Sequence, residues 1–216
     1  MSPAPIEIPE DITPQTFYEE VVPRAFRQGR EQAKEMVPML QEIRASLRAE
    51  VQGDGGGVWT LTLCDGELDV RPEALPDPLV TLVQSREDWQ VSVTQGLGVL
   101  LTRLSGAVAP ATPSAPGMPR PGLTPQKIDR LKLLRGVMNF DLAGLAGERT
   151  VRLKIILNGA VEGKDPTSVL TMTAADYRDV AEGRVLPQQA FLQGKLRITG
   201  DAAFALQLLT TALMPQ

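Results

Sequence analysis

Apolar and polar residues alternate along Val58-Trp59-Thr60-Leu61-Thr62-Leu63 and again along Lys195-Leu196-Arg197-Ile198-Thr199, the spacing of strands with one buried face. Elsewhere the period is helical. Thr13 followed by Pro14 predicts a helix start, and Phe17, Val21, Val22, Ala25 and Phe26 carry it to about Gly29, with a kink or break at Pro23. Met36, Leu40, Ile43 and Leu47 predict a second helix from Glu31 to about Glu50, bent at Pro38. Asp65-Gly66 and Asn158-Gly159 are hairpin turn signals, and Pro76-Asp77-Pro78 opens a strand over Leu79 to Gln84. Ser85 leads into a helix from Arg86 to about Gln95. A helix follows Thr124-Pro125 through Ile128, Leu131 and Leu134, and strands cover Val137 to Leu142 and Arg149 to Leu157. Ser168 to Thr173 is a strand ending in a helix cap, with Asp176 at the capping-box position and Gly183 as the stop. Gly200-Asp201 turns the chain into Ala202 to Leu213, whose polar side chains are Gln207, Thr210 and Thr211 only. A helix that apolar either fills a core or borders a cavity.

This order divides the chain into an extended arm (1–12), a helical and sheet-forming segment (13–105), a proline-rich linker (106–122) and a C-terminal domain (123–216). The segments flanking the linker resemble each other. Each has a helix, an alternating strand, a turn and a Pro-opened strand, then a hydroxyl cap with an acidic-aromatic pair: Ser85 with Asp88-Trp89, Thr173 with Asp176-Tyr177. The first segment lacks the strand around Leu196, so it reads as a reduced copy of the second.

Composition removes most chemistry. The 216 residues include no histidine, so the usual general base and imidazole metal ligand are missing. No metal-ligand spacing occurs, and neither metal nor cofactor is expected. Cys64 follows the strand's apolar alternation and reads as a buried structural thiol, with no histidine to activate it. Gly53 to Gly57 precedes a strand and lacks a following Lys-Ser/Thr, so it is a turn and not a phosphate loop. Asp141 and Glu148 flank a turn and read as solvated; Trp59, Trp89 and Tyr177 read as core anchors. Lys195 and Arg197 lie on the polar face of their strand, either simply exposed or available to lipid headgroups or an acidic partner. The net charge of −4 with interleaved signs argues against nucleic acid. The N-terminus lacks the pattern of a signal peptide, no apolar run reaches the length of a membrane span, and the last residues are not a peroxisomal address. The expectation is a cytoplasmic protein, and the Ala, Gly, Pro and Arg content suggests a bacterial one.

One motif points further. Asp176, Gly183, Ala190, Phe191, Gly194, Lys195, Ile198, Gly200 and Asp201 give a segment that resembles the sterol carrier protein type two family, small lipid-carrying domains. The resemblance implies an α+β fold in the C-terminal half: a mainly antiparallel five-stranded sheet with helices on one face, beside a three-stranded relative and two long helices from the N-terminal half. It also implies a lipid tunnel walled by the C-terminal helix. The residues so implicated are Phe191, Leu196, Ile198, Phe204, Leu206, Leu208, Leu209, Leu213 and Met214. Burying an acyl chain there stabilises by about 0.8 kcal/mol per methylene. The implied function is non-catalytic binding, transfer or presentation of a fatty acyl, isoprenoid or sterol-like molecule, with transient contact to a membrane surface or a lipid enzyme. The alternative is an accessory interaction module with a filled core. Homodimerisation is left open.

Overall fold

The computed structural model describes residues 8–32, 34, 37–94, 124–145, 149–159, 165–181 and 184–213. Eight strands are Ala45–Gln52 (β1), Gly57–Cys64 (β2), Glu67–Arg71 (β3), Val80–Ser85 (β4), Gly136–Leu145 (β5), Arg149–Leu157 (β6), Ser168–Thr173 (β7) and Leu196–Gly200 (β8). The helices are Pro14–Thr16 (α1), Val22–Gln32 (α2), Val37–Glu42 (α3), Arg86–Thr94 (α4), Pro125–Leu133 (α5), Ala174–Ala181 (α6), Pro187–Leu192 (α7) and Ala202–Leu213 (α8). The linker over 106–122 and the stop at Gly183 lie outside the described residues.

All eight strands join one sheet in the order β3-β2-β1-β4-β6-β5-β7-β8. This corrects the expected five-stranded antiparallel sheet: each half of the chain gives four strands, and the sheet is mixed. β1 pairs with β4, and β5 with β7, in parallel. The other neighbours are antiparallel. The halves meet where Val80 to Val83 of β4 lie opposite Leu157 to Lys154 of β6. Counted from either edge, five successive strands show one scheme: β3-β2-β1-β4-β6 and β4-β6-β5-β7-β8 are each antiparallel, antiparallel, parallel, antiparallel.

The second long helix is also corrected. It ends at Glu42, and β1 follows, with Leu47, Ala49 and Val51 buried between the more exposed Ser46, Arg48 and Glu50. Leu40, Ile43 and Leu47 fit a helical stripe, yet from Ala45 onward the polar residues alternate, and pairing on both sides by β2 and β4 wins. At Pro23 the expected kink takes the form of a π turn over Phe17–Val21, in which the Val22 N–H reaches the Phe17 carbonyl. Its wider bonding carries the helix past a residue that has no N–H to give. Residues 8–12 are tied down, not free: Ile12 is buried, and its carbonyl accepts from Arg86.

A candidate apolar binding face under the helices

Register puts one set of side chains on one side of the sheet. Leu61 stands beside Leu47, Leu47 beside Val80, Val80 beside Leu157, Leu157 beside Gly136; farther along, Phe140, Leu170 and Ile198 continue the row. The opposite side carries Thr62, Arg48, Lys154, Asn139 and Arg197. Strands with that alternation bury one face only, and the helices supply the cover. Tyr18 stacks on Trp59 at 4.9 Å between ring centroids and accepts a hydrogen bond from the Trp89 Nε1. Complete burial holds the Tyr18 hydroxyl well above its ordinary pKa. In the other half Tyr177 of α6 meets Phe140 at 5.8 Å. The three aromatic residues read as core anchors, Trp59, Trp89 and Tyr177, are all buried.

The motif residues make joints. Gly194 has φ +71° and ends α7 in a Schellman motif: the Lys195 N–H reaches the Ala190 carbonyl, and the Gly194 N–H reaches that of Phe191. Lys195 then lies 3.6 Å from Asp176, so it pairs with the capped end of α6 where the sequence suggested an exposed cation. Thr173 Oγ1 accepts from the Asp176 N–H and donates to its carboxylate. Gly200 has φ +84°, and a Cβ there would lie 2.3 Å from the Thr167 carbonyl oxygen. Asp201 donates its N–H to that same oxygen and caps α8 through the Phe204 N–H. The Gly-Asp pair is thus the one corner that lets α8 fold back over the sheet.

α8 seats Phe204, Ala205, Leu208 and Leu209 in the core. The Phe204 ring lies over Gly136, where a Cβ would come within 2.7 Å of it. Among the residues implicated by the family resemblance, Leu196 is buried, and Ile198 and Leu206 are partly buried against the core. Phe191 corrects the expectation: it is 37% exposed on the outer side of α7, beside Leu192 at 84%, because the Schellman turn needs Ala190 to face inward. The side chain of Leu213 and all of Met214 lie outside the described residues.

An apolar cavity of about 30 Å³ occurs under α5 in the N-terminal half, a position no sequence signal marked. Ala45, Leu47, Leu61, Leu63, Ile128 and Leu131 are among its walls. That volume is room for about two waters.

Two polar expectations change. Cys64 is half-buried on the polar face, and its bond to the Asp65 carboxylate pushes the thiol pKa up, the opposite of activation. Asp141 is buried and takes both Nε and Nη2 of Arg152 at 2.7 Å. Among the described residues no helix is long and apolar enough to cross a membrane.

Comparison with known proteins agrees with this half of the chain. Residues 121–212 match the SCP-2 sterol transfer family. Hydroxysteroid dehydrogenase-like protein 2 of Danio rerio is 34% identical over 84 residues, 37% of this chain and 20% of that protein. Sterol carrier protein 2 of Homo sapiens is 30% identical over 91 residues, 39% of this chain and 17% of that protein. The chain thus spans about a fifth of the length of the curated relatives it matches. Among solved structures, Sterol Carrier Protein 2 Like 2 from Aedes aegypti aligns at 20% identity and a TM-score of 0.33, over 56% of this chain and 95% of that one. Residues 121–212, with the Schellman turn, the Asp176–Lys195 pair and the Gly-Asp corner, are a domain of the SCP-2 sterol transfer family.

Proposed function

We propose that the chain binds a lipid-like apolar molecule without chemically changing it, and carries or presents it to a membrane surface or a lipid enzyme. The match of residues 121–212 to a sterol transfer family carries this reading. Support comes from the build of the sheet, whose apolar side is covered by separate helices that can part from it, and from the absence of histidine. The dehydrogenase-like name belongs to relatives matched over a fifth of their length and brings no activity here. A ten-carbon chain sheltered from water gains on the order of 8 kcal/mol before ordering costs, enough for micromolar binding without specific polar contacts.

A second reading has its own observation. With Phe204 seated on Gly136 and a cavity of about 30 Å³, the interior is nearly filled, which favours an accessory docking module. Native mass spectrometry of the purified chain, with organic extraction of what co-purifies, separates the two. A bound lipid is expected. If none is found and a fluorescent fatty acid and a fluorescent sterol both fail to bind at tens of micromolar, the carrier reading falls and docking remains.

A further inference from the structure

We propose that the N-terminal half of the sheet has a binding site of its own, under α5, for the tail of a single-chain carboxylate amphiphile whose head pairs with Lys127. This rests on the carrier reading but puts the ligand mainly against strands that precede the matched domain.

The argument begins with register. β4 and β7 both run into hydroxyl-capped helices, at Ser85 and Thr173. Five residues before each cap, Val80 lies opposite Leu47 and Ser168 opposite Met138. Two residues before those partners come Ala45 and Gly136, which lie opposite Leu63 and Leu157. Ala45 and Gly136 therefore hold the same place in two identically paired sets of strands. Over Gly136 the place is filled by the Phe204 ring. Over Ala45 it is the apolar cavity, roofed by Ile128 and Leu131 of α5.

Lys127 gives the second observation. It directly precedes Ile128, stands one helical turn before Leu131, and is only 3% exposed. Among the described residues no carboxylate lies within ion-pair distance of it. Burial lowers its pKa, and an ammonium buried without a counter-ion is costly. A ligand carboxylate supplies that counter-ion while its chain occupies the space beside Ile128 and Leu131.

α5 is fastened at one end. The Asn158 Nδ2 donates to the carbonyls of Leu131, Lys132 and Leu134, so the end that can lift is the one carrying Lys127. Closed, the cavity is too small for an alkyl chain, and the ligand enters as that end rises.

The test is calorimetric titration of the whole chain with decanoate and with decanol. Wild type is expected to prefer decanoate. Lys127→Gln should weaken decanoate at least tenfold and leave decanol within twofold, which a merely structural lysine would not do. Ala45→Leu, its folding checked by circular dichroism, should weaken both at least tenfold; if it does not fold, the Lys127→Gln ratio still decides. An unchanged decanoate-to-decanol ratio in Lys127→Gln overturns the proposal. So does loss of binding in Leu208→Ala with none in folded Ala45→Leu, which would put the ligand under α8. If the purified chain carries lipid but binds neither probe, this proposal fails and the carrier reading stands.

Discussion

The two halves of the sheet use the same pairing scheme and end differently. In the C-terminal half β7 is flanked by β8, a Schellman turn and a glycine corner bring α8 back over the strands, and Phe204 closes on Gly136. In the N-terminal half β6 of the other half takes the place beside β4, and α5, also from beyond the linker, provides the roof. A borrowed strand completes the hydrogen bonding, because any strand of matching register satisfies a ladder. A borrowed helix fits less closely, since packing requires complementary shape and not only the right element. The lesson is that backbone pairing transfers between halves more readily than core packing does.

The sharpest way to break this contrast is at the corner. Gly200→Ala forces a Cβ against the Thr167 carbonyl at a φ of +84° and should cost about 2–4 kcal/mol. The urea midpoint would drop, and probes on α8 should be lost before Trp59 fluorescence. Matched enlargements come next. Leu208→Phe overpacks the filled half and should lose about 1–3 kcal/mol, whereas Leu61→Phe at the cavity should be neutral or gain up to about 1 kcal/mol. Equal losses from the two would show that the halves are packed alike. Removing the equivalent caps, Ser85→Ala and Thr173→Ala, should cost about 1 kcal/mol each, and a difference above twofold would undo the equivalence of those positions.

The smallest effect is in pH. Burial lowers the folded-state pKa of Lys127, so between that value and the unfolded one the unfolded chain binds more protons and stability rises with pH. Tyr18, whose folded pKa is raised, acts in the opposite sense above pH 10. The expected signature is therefore in a difference: Lys127→Met should be more stable than wild type at pH 7, and the gap should narrow as pH approaches the unfolded lysine value. A constant gap would mean that Lys127 is not charged and buried at neutral pH.

Much of the C-terminal half was legible in the chain because its devices are local. The Thr173 cap, the Gly200-Asp201 corner and the alternation in β8 each lie within a few residues and bring their own geometry. Helix α7 was missed, as its six residues are too few for a period to show. β1 was misread because Leu40, Ile43 and Leu47 satisfy two periods at once, and only its partners β2 and β4 decide between them. The seam between β4 and β6 joins positions more than seventy residues apart, and nothing local to either strand names the other. The cavity was invisible for a related reason: Leu47, Leu61 and Leu63 are ordinary inward residues of alternating strands, and an empty space between them leaves no mark on any one of them.

That seam has a practical consequence for anyone dividing the gene. Resemblance to known proteins begins at residue 121, but a fragment started there keeps β6 and leaves β4 behind. Its Lys154 to Leu157 edge would then be bare, with Ile155 and Ile156 beside unpaired peptide groups, the kind of border at which sheets stick to one another. Such a fragment should come out of the cell as oligomers or inclusion bodies, and supplying residues 37–94 as a separate polypeptide should draw it back into solution.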